Sequence, residues 1–251
     1  MEYLTPDIAL MLFAESLAAG LIDSIAGGGG LLALPALLWA GLPPLLALGT
    51  NKLQGSFGTL AASIGFWRQG LVDPRRMGPA IACTFVGAAT GTWLVQSLST
   101  DTLQTLVPLL LIGFALYFLL SPRIADQDAA ARIGPLPFAL LIGTLVGGYD
   151  GFFGPGTGSF FVLAYVALLG YNLRRATAHT KVLNFTSNIA SLLAFALAGN
   201  LIWPLGLLMA VGQFSGAWIG SHLAVRHGAR LIRPALVAVS LLVSLKLLLG
   251  F

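Results

Sequence analysis

The chain has 251 residues, of which 57% are hydrophobic and only 9% charged, and its mean hydropathy is +0.89. A soluble domain of this length carries far more polar surface, so the composition excludes a soluble globular protein. The formal net charge is +4, but in so apolar a chain the basic residues mark loops and not a nucleic-acid surface. The composition is typical of a polytopic helical membrane protein with no soluble domain.

Ten apolar segments follow one another along the chain, and most approach the roughly 20 residues that a spanning helix needs. The only long polar connector, from Ser121 to Pro135, leaves five segments on each side. We therefore predict a first membrane repeat at 1–121, a cytoplasmic connector at 122–135 and a second membrane repeat at 136–251. The predicted segments are 8–26, 30–42, 46–67, 77–98, 103–121, 136–150, 156–170, 176–198, 204–226 and 233–250.

Each half contains a glycine-rich break inside apolar sequence. The first is Ile25-Ala-Gly-Gly-Gly-Gly30 and the second is Gly148-Tyr-Asp-Gly-Phe-Phe-Gly-Pro-Gly-Thr-Gly158. A break at membrane depth must be shielded by protein or line a polar cavity, because lipid offers no partner to unpaired backbone groups. A helix that restarts near Leu31 or Ser159 would point N–H groups and its positive dipole end at that cavity, which favours an anion. The alternative is that glycines only allow close helix packing, which suits Gly87, Gly91, Gly216 and Gly220.

The two halves resemble each other when the chain is compared with itself. An offset of 129 residues places Lys52 on Lys181 and Gly41 on Gly170, and an offset of 127 places Asp23 on Asp150. The number of identities is small for a composition so rich in Gly, Ala and Leu. The lysine match carries more weight, because the chain has three lysines.

Charged loops predict that the two repeats have opposite orientations. A loop that carries arginines in one half corresponds to a loop without basic residues in the other half. The positive-inside rule then places the two equivalent loops on opposite sides of the membrane. The predicted fold is an all-α polytopic membrane protein with two inverted-topology repeats, each a Gly-broken helical hairpin plus three spanning helices. The connector is cytoplasmic and both termini are periplasmic. The basic positions are Arg68, Arg75 and Arg76 in the first half, Arg123 and Arg132 in the connector, and Arg174, Arg175, Arg226, Arg230 and Arg233 in the second half.

Lys52 and Lys181 lie at equivalent positions near the starts of long helices, and a charge inside a membrane is costly enough to indicate function. We predict that they hold the substrate, although snorkelling to the nearer interface is an alternative. Polar neighbours lie on the same helices, and their alternative role is packing between helices. The candidate substrate-binding residues are Gly27, Gly28, Gly29, Gly30, Asn51, Lys52, Gly154, Gly156, Thr157, Gly158, His179, Thr180, Lys181 and Asn184.

Asp23 and Asp150 precede the two breaks and are the candidates for proton or ion coupling. The alternative is that each carboxylate caps the restarted helix or pairs with a lysine. No HxxxH or HExxH spacing suggests a metal, and the single Cys83 excludes a cysteine-built metal site, so no metal and no cofactor are predicted. The predicted partners are a small anionic substrate and the lipid bilayer, without nucleic acid; the sequence leaves the oligomeric state open.

An intramembrane hydrolase is the rival from another class, but it needs a nucleophile with a base, paired carboxylates or a metal cluster. The chain has no GxSxG and no HExxH, and its membrane acids are isolated along the sequence. We therefore predict that the protein is not an enzyme. An anion channel is the nearer alternative, because a pore can use the same glycine breaks.

Several of these motifs together resemble a known family. They are the first glycine run with Pro35 after it, Gly49-Thr-Asn-Lys52, Gly151-Phe-Phe-Gly-Pro-Gly-Thr-Gly158 and Ala176-Thr-Ala-His-Thr-Lys181. With these motifs the chain is similar to the TauE/SafE family of sulfite and organosulfonate exporters, from about Leu10 to Phe251. The resemblance implies a multi-pass permease of the bacterial inner membrane. We expect a secondary transporter that moves sulfite, an organosulfonate or a related carboxylate by alternating access.

Overall fold

The structure is a computed structural model, and it describes residues 5–120 and 128–227. Within these ranges every regular element is helical, which confirms the all-α prediction. Several predictions lie outside the described residues: the segment 233–250, both chain ends, and the basic residues Arg123, Arg230 and Arg233.

The helices follow the predicted segments closely. Each of the first nine segments coincides with a helix to within a few residues, and the segment 136–150 is a helix with a π-helical turn at Ala139–Gly143. A short 3-10 helix, Pro74–Met77, precedes α4. The α-helices are α1 Pro6–Ala26, α2 Gly30–Trp39, α3 Pro44–Arg68, α4 Gly78–Gln96, α5 Thr100–Leu120, α6 Pro135–Phe138, α7 Thr144–Phe152, α8 Thr157–Leu169, α9 Leu173–Leu197 and α10 Trp203–His227.

Unlike a soluble protein, the structure buries many polar side chains and exposes many large apolar ones. Gln54 and Ser187 are fully buried, whereas Trp93 is 70% exposed and Leu197 is 90% exposed. Such an apolar outer surface suits a hydrocarbon solvent. The segments Pro6–Ile25 and Pro74–Gln96 meet a length and hydropathy criterion for a membrane span. The polar residues of α3 and α9 lower the hydropathy of those two helices, and most of these residues face inward.

Glycines bring two helix pairs into close contact in the same way. On α10, a Cβ on Gly216 would lie 2.0 Å from the carbonyl oxygen of Leu17 on α1. On α4, a Cβ on Gly87 would lie 2.3 Å from the carbonyl oxygen of Thr144 on α7. Gly87 and Gly216 are related by the offset of 129, and Leu17 and Thr144 by the offset of 127, so the two contacts are equivalent in the two halves. The packing interpretation therefore holds for these glycines, and also for Gly91 against Gly148 and Gly220 against Leu21.

The described arginine-bearing loops share one end of the helix bundle, which we call the basic end. The loop after α3 and the start of α9 line one cavity there. The end of the connector joins them, because the Ala129 N–H donates to the Gly170 carbonyl at 2.8 Å. At the opposite end, the Asn200 amide donates to the Gln96 side chain at 3.0 Å and the Ile202 N–H donates to Thr50 Oγ1 at 3.1 Å. Helix α3 therefore runs toward the basic end, and α9 runs away from it.

Candidate functional site

The first glycine break reverses the chain between α1 and α2. Gly27 ends α1 with φ of +80°, a left-handed conformation in which glycine has no steric penalty, and its N–H donates to the Asp23 carbonyl at 2.7 Å. The chain restarts as a helix at Gly30, one residue before the predicted position.

The second break has a similar form between α7 and α8. Gly154 and Gly156 have φ of +100° and +86°, and α8 begins at Thr157. The break is closed by local hydrogen bonds: Thr157 Oγ1 donates to the Gly154 carbonyl at 2.6 Å, and the Tyr149 hydroxyl donates to the Pro155 carbonyl. The predicted restart near Ser159 is therefore two residues late.

The two breaks touch each other inside the bundle. A Cβ on Gly158 would lie 2.6 Å from the Cα of Gly27, and a Cβ on Gly30 would lie 3.3 Å from the Cα of Pro155. This backbone contact brings the N-termini of α2 and α8 together. Some of the first N–H groups donate to carbonyls of the breaks, as Leu31 does to Gly28 and Thr157 to Gly154, and the dipoles make both helix ends electropositive.

Two ion pairs cross between the halves at this point. Lys52 Nζ on α3 donates to Asp150 Oδ1 at 2.7 Å and to the Asp150 carbonyl at 2.5 Å. Lys181 Nζ on α9 donates to Asp23 Oδ2 at 3.0 Å. The two lysines are 1% and 0% exposed, so neither reaches an interface and the snorkelling alternative is wrong. Each carboxylate pairs with the lysine of the other half. Pairing with a lysine is one of the alternative roles considered above for the two aspartates.

Each aspartate also accepts a second hydrogen bond. Asp23 Oδ1 accepts from the Gly29 N–H at 3.1 Å, so this carboxylate both caps the break and pairs with a lysine. Asp150 Oδ2 accepts from the Ser187 hydroxyl on α9. Buried charges need such compensation, because an unpaired ion is costly away from water. The two lysines and two aspartates have a net formal charge of zero.

A narrow cavity of about 40 Å³ lies between the breaks, and we call it the central cavity. A volume of about 10–15 Å³ holds one water molecule, so the central cavity has room for about three. Most predicted site residues line it, although their role in substrate binding stays a prediction. Those residues are Gly27, Gly30, Asn51, Lys52, Gly154, Gly156, Thr157, Gly158 and Asn184, with Asp23 and Asp150.

Five predicted residues do not line the central cavity. Gly28 and Gly29 belong to the first break, while Thr180 and Lys181 are buried on α9. His179 lies apart from the others: it lines a second cavity, near the Tyr165 and Tyr171 rings. Asn184 follows it by five residues, which in a helix is a rise of about 7–8 Å and a rotation of about 140°. The expectation that His179 joins this site is therefore wrong.

Sequence reasoning missed three lining residues, Gly55, Thr59 and Gln213, and one supporting residue, Ser187, whereas the spacing of Asn184 and Asn188 predicts one polar helical face. Gly55 and Thr59 follow Lys52 on α3 as Asn184 and Asn188 follow Lys181 on α9, with the same offset of 129. The repeat itself was thus the signal that could have found them. Gln213 was a lone amide in the apolar segment 204–226. Gly55, Thr59, Asn188 and Gln213 line the central cavity, and Ser187 binds Asp150.

Two amides at the central cavity retain hydrogen-bonding capacity. Asn184 Oδ1 and Gln213 Oε1 are buried and accept no hydrogen bond from any described residue. Buried polar atoms are normally satisfied, so these groups are available to a ligand or to water. In residues 5–120 and 128–227 no group of three or more His, Cys, Asp or Glu side chains is placed to hold a metal ion. Both unpaired atoms are amide oxygens, so they suit water or a ligand that donates a hydrogen bond.

Residues 12–247 match the family model described as "Sulfite exporter TauE/SafE". The chain belongs to the TauE/SafE family. The match covers both breaks and both crossed ion pairs, and it confirms the resemblance that the motifs indicated. This TauE/SafE protein is therefore a multi-pass membrane transporter and not an enzyme.

Three relatives cover almost the whole TauE/SafE chain. Probable membrane transporter protein YfcA of Escherichia coli strain K12 is 51% identical over 244 residues, which are 97% of this chain and 91% of the relative. Probable membrane transporter protein ORF9 of a Sinorhizobium species is 46% identical over 248 residues, or 99% and 95%. A probable membrane transporter protein of Haemophilus influenzae is 45% identical over 241 residues, or 96% and 94%. No solved structure is detectably similar.

Proposed function

We propose that this protein is a secondary transporter for a small anion such as sulfite, an organosulfonate or a related carboxylate. The observation that carries the proposal is the pair of crossed Lys–Asp contacts beside two touching helix breaks. Four buried charges at a helix-break contact serve no packing need, because apolar residues fill a membrane core at lower cost. Intramembrane charges of this kind mark substrate and ion pathways.

The two halves form inverted repeats around this site. Support comes from the antiparallel course of α3 and α9, and from glycine contacts that recur under one pair of offsets. In such transporters the site lies at the interface of the repeats near the membrane midplane, and one half rocks against the other. The described arginines at the basic end favour a cytoplasmic basic end, with both termini periplasmic in a bacterial inner membrane.

The anion binds where the two carboxylates now lie. Each lysine is held by an aspartate, so an anion reaches Lys52 or Lys181 only when it takes the place of Asp150 or Asp23. The electropositive N-termini of α2 and α8 add to the attraction for an anion. A displaced carboxylate that stays buried is stabilised by taking up a proton, which links anion binding to proton uptake.

Flux into proteoliposomes tests the function directly. We expect saturable flux of at least one of sulfite, taurine-like sulfonates and short carboxylates, and acceleration by the same anion on the far side. Lys52→Met and Lys181→Met change equivalent positions of the two halves. Each is expected to weaken binding of that anion about tenfold or more, because each removes one charged donor. A correctly folded protein without saturable flux of any of these anions refutes the transport function. Saturable flux without counterflow acceleration indicates an anion channel instead.

Imposed pH gradients test the coupling. We expect an inward proton gradient to change the anion flux, and we expect Asp150→Asn and Asp23→Asn to reduce this response. Asn keeps the size of the Asp side chain, but it has no carboxylate that could take up a proton. A flux that ignores the gradient removes both aspartates from any coupling role and leaves them as structural partners of the lysines.

A further inference from the structure

A second cavity lies at the basic end of the bundle, and we call it the basic vestibule. Its volume is about 860 Å³, some twenty times that of the central cavity. It is bounded by the end of α3, the loop before α4, and the start of α9. The lining residues that matter here are Trp67, Arg76, Tyr171, Arg174, Arg175 and His179.

The charge of the vestibule is strongly positive. Three arginines line it against a single acid, Asp73, and Asp73 pairs with Arg76 at 3.4 Å. Arg174 and Arg175 form no ion pair with any residue in the described ranges. Two cations without an ion-pair partner, beside the low-dielectric wall of a cavity, focus the electric field and concentrate anions.

One of these cations stacks on an aromatic ring. The Arg175 guanidinium carbon lies 3.9 Å from the centre of the Tyr171 ring, and Tyr171 in turn stacks on Tyr165 at 5.4 Å. His179 joins the cluster with Nδ1 2.9 Å from the Arg175 carbonyl. A carbonyl only accepts hydrogen bonds, so Nδ1 carries the proton of the neutral ring and Nε2 is an acceptor, which leaves the arginines as the donors to an anion. An arginine on an aromatic platform is preorganised for a planar oxyanion.

The basic vestibule is connected to the central cavity through two helices. Helix α8 begins at Thr157 beside the central cavity and reaches the vestibule at Tyr165 and Leu169. Helix α9 passes from Arg175 at the vestibule to Asn184 at the central cavity. The buried residues between include the apolar Phe161 on α8 and Leu183 on α9, and also Thr177, Thr180 and Lys181 on α9. A buried layer of apolar and polar side chains therefore separates the wide, arginine-lined chamber from the narrow site.

The opposite end of the bundle does not share this chemistry. The offset of 129 places Leu45 and Leu46 where the second half has Arg174 and Arg175. A cavity of about 440 Å³ at that end is lined, among others, by Leu42 and Pro43, and none of its described lining residues is charged. The positive-inside rule accounts for arginines in a loop, but not for an arginine turned into a cavity and stacked on a ring.

We propose that the basic vestibule is a loading site that binds a small oxyanion, a sulfonate or carboxylate, before it enters the central cavity from the basic end. The inference rests on the proposed function, and it adds a second anion site with Arg174 and Arg175 as its ligands. It also predicts an asymmetric carrier. The basic end captures anions at low concentration, and the opposite end releases them into a chamber that does not hold them.

Side-specific flux tests the loading site. The double variant Arg174→Gln, Arg175→Gln is compared with Arg75→Gln, an arginine of the same end that does not line the vestibule. In proteoliposomes of uniform orientation, we expect the double variant to raise the half-saturating anion concentration at the basic end about 10-fold, the lower end of the range for electrostatic focusing. The maximal flux and the value at the opposite end stay unchanged. Added salt weakens loading in the parent more than in the variant.

Two outcomes of that experiment overturn the proposal. One is an equal change at both ends, which indicates damage to the central cavity. The other is an equal effect of Arg75→Gln, which indicates a general surface charge. The lipid is varied to exclude a headgroup site: an effect that appears only when phosphatidylcholine vesicles also contain phosphatidylglycerol means that the arginines bind lipid, and this too refutes loading.

Fluorescence quenching gives a measurement independent of transport. Trp67 lines the vestibule, so the signal lost in Trp67→Phe reports on it. We measure the ratio of quenching by iodide to quenching by neutral acrylamide. We expect this ratio to be higher in the parent than in the double variant. Quenching that does not depend on the two arginines overturns the loading site even when flux is present. Arginine-dependent quenching in a protein that carries no anion refutes the transport function, and with it loading, while anion binding in the vestibule stands.

Discussion

The crossed ion pairs predict a specific pattern of stability in a double-mutant cycle. The cycle consists of Lys52→Met, Asp150→Asn and the two changes together. Lys52 Nζ lies 2.7 Å from Asp150 Oδ1, and the two side chains are 2% and 5% exposed. Removing one member of a buried pair leaves the other charge without compensation, which costs about 3–5 kcal/mol.

The expected shifts in melting temperature follow from that cost. In a chain of this length a loss of 1 kcal/mol lowers the midpoint by about 2–4 °C, so each single variant is expected to melt about 6–20 °C below the parent. The double variant removes both charges. Its melting temperature is expected to fall by less than the two single decreases added together, and to be no lower than that of the less stable single variant. In the variants that carry Asp150→Asn, the amide oxygen of the new side chain still offers the Ser187 hydroxyl an acceptor.

Thermal unfolding in detergent, followed by circular dichroism, measures the four proteins under one set of conditions. The cycle Lys181→Met with Asp23→Asn is the matched control, because its pair is also buried and has a distance of 3.0 Å. Strict additivity in both cycles means that the pairs contribute no coupling energy. That result would refute the crossed contacts as the interaction that joins the two halves.

Glycine substitutions test the contacts that surround the site. Gly158→Ala places a Cβ 2.6 Å from the Cα of Gly27, so we expect loss of flux and a lower melting temperature, whereas Gly78→Ala, with no atom within 4 Å, is expected to leave both unchanged. Normal flux in Gly158→Ala would contradict the close contact of the two breaks. Gly91→Ala and Gly220→Ala overpack equivalent helix contacts and are each expected to cost about 1–3 kcal/mol in unfolding experiments. A neutral effect at only one of them would show that the contacts are not equivalent.

The helices and the breaks were accessible from the sequence because they depend on local properties. An apolar run long enough to cross a bilayer has few alternatives to a helix, and Gly27 and Gly154 mark the breaks because the left-handed turn favours glycine. The predicted restarts missed Gly30 and Thr157 by only one and two residues.

The partners of the charges were not accessible in the same way. The spacing of Asp23 and Asp150 along the chain is compatible with either lysine, and only the packing of the two halves decides that each lysine binds the acid of the other half. His179 was misplaced for a related reason. It is only two residues from Lys181 in sequence, but this step rotates a helix by about 200° and directs His179 to a different cavity.

The zero net charge of the two lysines and two aspartates has an electrical consequence for the proposed cycle. A membrane potential does work of about 2.3 kcal/mol per elementary charge for each 100 mV. When the empty protein changes conformation, these four residues carry no net charge across the field. With a monovalent anion bound and both aspartates still ionised, the same movement carries one negative charge. An inside-negative potential therefore accelerates the outward step only when the anion binds without a proton; when a displaced aspartate takes up a proton, the loaded site is neutral and the potential affects neither step.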